Sequence, residues 1–466
     1  MKQFTITLAY LLFSMSSIAQ DLPGTWHGVA VAPDNREITF VFNINEQDQG
    51  YNTTMSVPTF NVEGISIQKT TLKEDSLHID GSNLGMNYKG KWNSEIMSFE
   101  GVYTEGQIHL KLNLSKGNPE ITKLSRPQEP SRPYAYYEEE VSFSNSEDKI
   151  SLAGTFTRPQ TAGKYPAVIL ISGSGKHDRN ASMMTHRPFL VLSDYLTQKG
   201  FAVLRYDDRG YGQSSGDFDV ATTADFAKDV LSAIAYLKTR SDVDQNAIGL
   251  VGHSEGGIVA PLAANQSDDV AFIVSLAATG LPGNEIAVAQ SKNLRPFPVP
   301  DETSFKANVR KALEIVVSDK ESQEKRTLLE SHNKSYLEPI LKSLGATEEN
   351  ISKFIANETQ SLLKPWNTYF YKYDPAMEFE KLTIPILAIN GAKDIQVDAH
   401  TNQNAIRQAL EKGNNSNYSI VLLDDHNHLL QVCETGEIRE YKEIAQTTSP
   451  EVLELISNWI SDVTKK

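Results

Sequence analysis

The chain has 466 residues, 39% hydrophobic and 22% charged, with a formal net charge of −15. Its length points to two or three domains, its balance is that of a globular protein, and its acidity argues against nucleic acid or an anionic membrane surface as a partner. A single cysteine, Cys433, excludes an intrachain disulfide and reads as a small packing residue.

Residues 1–19 read as a secretory signal. Lys2 supplies positive charge, residues 4–13 are an apolar run, and Ser17-Ile18-Ala19 places small residues around a cleavage point near Ala19. The run is too short to span a bilayer comfortably. The expectation is an exported protein, periplasmic or secreted, with no integral membrane span in the mature chain. Export without disulfides fits a bacterial exterior when the domains are large enough to be stable unaided.

Residues 20–125 read as an all-β domain. Segments 25–31, 38–44 and 108–114 alternate polar and apolar residues with period two, and Gly, Asn and Asp clusters separate them. The pattern predicts a sandwich or partly closed barrel. Trp26, Tyr51, Phe60, Tyr88, Trp92 and Phe99 are expected in its core rather than on a sugar-binding platform. Residues 126–133 then bring Pro127, Pro130 and Pro133, which predict a stiff, extended connector.

From 134 to 466 the grammar changes. Segments 139–143 and 150–157 read as an antiparallel pair, and Glu138-Glu139-Glu140 as a solvated strand edge. Apolar strands follow at 167–171, 201–206, 247–251, 271–276, 384–389 and 418–423, with helices at 189–198, 224–238 and 257–264 between the first of them. Continuous apolar strands separated by helices predict a mostly parallel sheet covered on both faces. The interval from Leu276 to Ile384 is far longer than a crossover needs, and 304–317, 325–344 and 348–363 look helical. A helical cap over about 281–375 is expected there. A last helix, 450–460, has Pro450 early and an apolar stripe through Val452, Leu453, Ile456, Trp459 and Ile460.

The strand at 247–251 runs into Gly252-His253-Ser254-Glu255-Gly256-Gly257 and then a helix. That context makes Ser254 a candidate nucleophile on a strand-to-helix elbow. The amide of Glu255 stands at the helix N-terminus, where it can donate to an oxyanion. A second donor is expected in Ser172-Gly173-Ser174-Gly175, after the strand at 167–171, with the Ser174 N–H first and Gly175 next. A serine needs a base, and the base an orienting acid; this architecture places them in the order Ser, acid, His. Asp394, in the Gly-containing turn after the strand at 384–389, is the acid candidate, with Asp398 in reserve. His426 and His428, on the loop after 418–423, both remain candidates for the base. Tyr206-Asp207-Asp208-Arg209-Gly210-Tyr211-Gly212 reads as an ion-paired structural turn, and Lys176-His177-Asp178-Arg179 as a pocket-shaping or loop-bracing cluster. The dispersed histidines His27, His78, His109, His186, His332 and His400 have no ligand spacing, so neither a metal nor a cofactor is expected.

These residues resemble the α/β-hydrolase superfamily, and within it a bacterial exported esterase group that pairs an N-terminal β domain with the hydrolase domain. Gly24-Thr25-Trp26-His27-Gly28 is similar to that group's opening strand, Ile171-Ser172-Gly173-Ser174-Gly175 with Asp178-Arg179 to its oxyanion loop, Gly252 to Gly257 to its elbow, and Gly391-Ala392-Lys393-Asp394 to its acid loop. Asn427-His428-Leu429-Leu430-Gln431 resembles its histidine loop, and the resemblance selects His428 over His426. Trp366-Asn367-Thr368 departs from the group's Trp-Phe-Arg, which removes a candidate contact for substrate carboxylates. The resemblance implies a cofactor-independent serine hydrolase acting on a small-molecule carboxylic ester through Ser254, His428 and Asp394. A peptidase or amidase acting on short peptides is the alternative, and an inactive exported binding protein a further one.

Overall fold

The computed structural model describes residues 22–465 apart from 33–36, 48–49, 59–61, 107, 120–125 and 295–300. The signal-like segment 1–19 and Phe60 lie outside the described residues. The chain divides into two compact units, Met1–Lys123 and Leu124–Lys466.

The first unit is antiparallel throughout. Its strands are β1 (Gly24–Val31), β2 (Glu37–Gln47), β3 (Gly50–Val57), β4 (Val62–Ser66), β5 (Lys69–Lys73), β6 (Ser76–Gly81), β7 (Met86–Asn93), β8 (Ser98–Glu105) and β9 (Ile108–Lys116). They pair in the order β2-β1-β9-β8-β7-β6-β5-β3-β4, and β2 also pairs with β3. The order therefore closes on itself as a barrel, with β4 attached to β3, and closure removes exposed edges. Trp26, Phe42, Tyr88 and Phe99 are fully enclosed in its core, with Trp92 and Tyr51 packed partly buried around them. The polar ends of the enclosed rings are satisfied: Trp26 Nε1 donates to the Leu22 carbonyl at 2.7 Å and the Tyr88 hydroxyl to the Phe99 carbonyl at 3.1 Å. Gly90 and Gly101 face each other across β7 and β8, and a Cβ on either would meet the Tyr88 hydroxyl at 2.3 or 2.5 Å.

The second unit is a layered α/β domain. Its strands are β10 (Tyr137–Asn145), β11 (Ile150–Arg158), β12 (Tyr165–Ile171), β13 (Ala202–Tyr206), β14 (Val243–His253), β15 (Phe272–Leu276), β16 (Ile386–Gly391) and β17 (Tyr418–Leu423). The order is β10-β11-β13-β12-β14-β15-β16-β17. The β10–β11 and β11–β13 pairs are antiparallel and the rest parallel. Helices α1 (Pro188–Gln198), α2 (Thr223–Lys238) and α3 (Gly256–Ala264) follow β12, β13 and β14. Between β15 and β16 lie α4 (Gly283–Leu294), α5 (Glu302–Val317), α6 (Ser322–Ser343), α7 (Glu348–Leu362), α8 (Pro365–Phe370) and the short α9 (Ala376–Phe379). Then come α10 (Ala399–Lys412) and α11 (Pro450–Thr464). Two apolar clusters flank the sheet. One joins it to α2, α3 and α10, the other to α1 and α11. This is the α/β-hydrolase fold with a helical insertion. No described helix is long and apolar enough to cross a membrane.

Two local features add to the sequence reading. Glu138, Glu139 and Glu140 are not simply a solvated edge: Glu138 pairs with Arg132 and Arg205, Glu139 with Arg240 and Glu140 with Arg179. Arg132 is six residues from Glu138, but Arg179, Arg205 and Arg240 come from distant segments, so their pairing is invisible in the local sequence. Residues 126–129, read as a stiff connector, are anchored by hydrogen bonds. Arg126 donates to the Lys442 carbonyl at 2.7 Å, and Gln128 Oε1 accepts the Thr447 N–H at 2.6 Å.

Candidate active site

The strand β14 is apolar and fully enclosed from Ala247 to Gly252, and it ends at the elbow. Ser254 has φ +55°, a conformation that L side chains rarely adopt. Its N–H donates to the Leu276 carbonyl at 2.8 Å and its carbonyl accepts the Gly257 N–H at 2.9 Å, so the strained residue is held from both sides. The flanking glycines are required by close approach. A Cβ on Gly252 would lie 2.0 Å from the Gly256 carbonyl oxygen, and one on Gly256 would lie 2.2 Å from that of Ile171.

Asp394 and His428 are brought together from 34 residues apart, with Asp394 Oδ2 2.7 Å from His428 Nδ1. Both side chains are buried. The other carboxylate oxygen, Oδ1, accepts the N–H groups of Gln396 and Val397 at 2.8 and 2.9 Å, which fixes its orientation. The histidine loop is tied by Asn427, whose Oδ1 accepts the N–H groups of Leu429 and Gln431, each at 3.0 Å. The reserve candidates fall elsewhere. Asp398 is exposed and caps α10 by accepting the Thr401 N–H at 2.9 Å. His426 is buried, has no hydrogen bond at either ring nitrogen, and is absent from the cavity wall.

Ser254 and His428 line one cavity of about 550 Å³, together with Gly173, Ser174, His253 and Glu255. Gly175 has φ +102° and lies outside that wall. The N–H groups of Ser174 and Glu255 have no acceptor among the described residues. One apolar side comes from α1 and α11, through Phe189, Leu192, Val452 and Ile456. Further lining comes from the helices between β15 and β16, through Ile286, Glu358, Trp366 and Phe370.

Two contributions were not legible in the motif. The first is the Glu255 side chain. It is buried, and its Oε1 accepts from the Thr223 hydroxyl and the Trp366 indole N–H, both at 2.7 Å. Burial pushes this carboxyl upward, opposed by Thr223, Trp366 and the Ser174 hydroxyl. The second is His253, whose Nε2 lies 2.8 Å from the His428 carbonyl oxygen. Burial, with His428 beside it, pushes His253 down to about 3, so it is a neutral donor there. The 206–212 turn is ion-paired, in keeping with its sequence. Asp207 accepts from Arg179 Nε and Nη2 at 3.0 and 2.8 Å, and Arg209 donates to Asp229 from Nε at 2.7 Å. Within the 176–179 cluster the two readings separate: His177 lines the cavity and Arg179 braces the loop. Cys433 is buried, and burial pushes its thiol up.

Known proteins similar to this chain include the esterase EstD of Thermotoga maritima, 26% identical over 342 residues that cover 72% of each chain. An acyl transferase of Photobacterium phosphoreum is 31% identical over 111 residues, 24% of this chain and 33% of its own. Among solved structures, the Pyrococcus furiosus esterase Pf2001 aligns over 74% of this chain and 96% of its own, at 14% identity and a TM-score of 0.44. Residues 148–417, which include Ser254 and Asp394, match the model described as X-Pro dipeptidyl-peptidase (S15 family), and the chain belongs to that family.

Proposed function

We propose that the protein is a serine hydrolase that cleaves carboxylic esters, with Ser254 as nucleophile, His428 as base and Asp394 as the orienting acid. His428 takes the Ser254 proton as the hydroxyl oxygen attacks the acyl carbon. Asp394 holds the imidazole in one tautomer and stabilises its cation. The N–H groups of Ser174 and Glu255 hold the tetrahedral oxyanion. His428 returns the proton to the leaving alcohol, and water then hydrolyses the acyl-enzyme through the same base. The observation that carries this reading is the strained Ser254 sharing a cavity with the Asp394-oriented His428. The esterase name of the Thermotoga maritima relative supports it.

Hydrolysis of p-nitrophenyl acetate and butyrate by the purified protein tests the reading. A fluorophosphonate is expected to label the Ser254 peptide, and activity unchanged in Ser254→Ala would sink it. Membership of the X-Pro dipeptidyl-peptidase family favours a second reading, hydrolysis of an amide in a short peptide. The same triad serves both bonds, so X-Pro and aminoacyl p-nitroanilides assayed beside the esters decide between them. The signal-like segment 1–19 supports export, which N-terminal sequencing of the protein from fractionated cells tests.

A further inference from the structure

The sheet ladder stops guiding the chain just before the oxyanion loop. Ile171 is the last residue of β12 and pairs with Gly252. Beyond it, Ser174, Gly175 and Lys176 are exposed. A glycine-containing exposed loop keeps a donor within a few tenths of an ångström of a reacting atom only when something else ties it down. Asp208, just past the end of the neighbouring β13, supplies such ties. Its Oδ1 accepts the Ser172 hydroxyl at 2.6 Å and its Oδ2 accepts the His177 N–H at 2.8 Å. Its own N–H donates to the His177 carbonyl at 3.1 Å.

We propose that Asp208 is a positioning residue for the oxyanion hole: it closes the segment 172–177 into a ring and thereby holds the Ser174 N–H in line with the oxygen of the attacked carbonyl. This rests on the reading of Ser174 as an oxyanion donor.

Three further contacts belong to the same device. Inside the ring, His177 Nε2 lies 3.1 Å from the Ser174 carbonyl oxygen, so the peptide next to the donor is pinned as well. Gly173 sits where a Cβ would be 3.1 Å from the Ser254 Cβ, which keeps the ring against the nucleophile. Outside the ring, Asp207 accepts the Arg179 N–H at 2.9 Å and continues the bracing along the same strand end. When ionised, the Asp208 carboxylate accepts through both of its oxygens. An asparagine there accepts through one oxygen only and turns an N–H₂ toward the other donor. The paired aspartates of the 206–212 turn thus have a use beyond an ion-paired corner.

The test uses the full chain and compares wild type, Asp208→Asn, Ser172→Ala and the double variant. Each is assayed for kcat and KM on p-nitrophenyl butyrate and for inhibition by an alkylboronic acid, which forms a tetrahedral adduct on an active serine. Loss of a whole oxyanion donor costs a factor of roughly 10² to 10³. A misaimed donor in Asp208→Asn is expected to lower kcat about 10-fold to 100-fold, with KM within about twofold. Boronate affinity should fall in step with kcat/KM. The double variant should be no worse than Asp208→Asn alone, because both changes break one ring. Should Asp208→Asn fail to fold, Ser172→Ala removes a single hydroxyl and carries the same signature at smaller scale. A folded Asp208→Asn that keeps wild-type kcat, or loses only KM, or keeps its boronate affinity overturns the proposal. Those results would leave the hydrolase reading standing. A wild type inactive on esters and anilides alike would instead overturn that reading, and the proposal with it.

Discussion

His253 donates from Nε2 to the backbone carbonyl oxygen of His428 across 2.8 Å, so the residue before Ser254 holds the loop that carries His428. Their rings lie 4.8 Å apart, and burial keeps His253 neutral by pushing it down to about 3. The bond joins two segments 175 residues apart and fixes the elbow relative to the histidine loop. His253→Phe keeps an aromatic ring and removes the donor. It is expected to lower kcat on p-nitrophenyl butyrate about 10-fold, the scale of one neutral hydrogen bond of about 1 kcal/mol or slightly more. An unchanged kcat in a folded variant would show that the loop holds itself.

The two acid candidates are separable by experiment. Asp394→Asn keeps the shape of the side chain but disrupts the charge and tautomer control of His428, so kcat is expected to fall by about 10⁴. Asp398→Ala removes only the α10 cap, which should cost about 1 kcal/mol of stability and leave kcat intact. Steady-state kinetics with thermal denaturation of both variants checks the pair; the reverse pattern would move the acid to Asp398.

Asp208 gives a pH prediction with a definite sign. Burial pushes its carboxyl up from 3.8 to about 7, against the opposing bonds from Ser172 and His177. A raised carboxyl pKa means that the fold holds the proton more tightly than the unfolded chain does. Its stabilising contribution is full below the unfolded pKa and is lost as pH rises through about 7. Asp208→Asn cannot ionise. The Tm of Asp208→Asn relative to wild type should therefore climb across that interval and level off above it. Thermal melts from pH 4 to pH 8 (about one unit apart) measure this; a flat difference would place the Asp208 pKa near its ordinary value.

The apolar side of the cavity predicts a chain-length preference. Phe189, Leu192, Val452 and Ile456 belong to one hydrophobic cluster and line the space next to Ser254. Each buried methylene contributes about 0.8 kcal/mol, or roughly fourfold in kcat/KM. Acyl and alcohol series of esters from two to eight carbons (about fourfold per step until the space is filled) should reveal which moiety lodges there. Ile456→Trp should shorten the preferred chain and Ile456→Ala lengthen it. Two variants with the same optimum would show that the chain lies elsewhere.

Much of the architecture was legible because it is written in local patterns. Alternating residues marked β1, β2 and β9, and the 418–423 strand matches β17 residue for residue. The interval after Leu276 was read as a cap from its length, yet α4 and α8 were missed. Each carries a short or weakly apolar stripe, and its placement depends on what it covers: Ile286 and Phe370 are buried against the main core. The 126–129 segment looked like a connector because prolines exclude regular structure, whereas its anchorage to 442–448 depends on partners more than 300 residues away.

By itself the sequence determined a mostly parallel sheet covered by helices and the strand-to-helix elbow at Ser254. Those features follow from side-chain periodicity and from glycines demanded at close backbone contacts, both of which are local. Tertiary structure decided the rest. His426 and His428 stand two residues apart on one loop; a family resemblance favours His428, but the fold alone sets its ring against Asp394 and buries His426 without a ring hydrogen bond. The Glu255 carboxyl acquires Trp366 as a donor, and Asp208 acquires Ser172, from elements 111 and 36 residues away. Hydrogen bonds of that kind are set by strand register and helix packing, and no spacing along the chain encodes them.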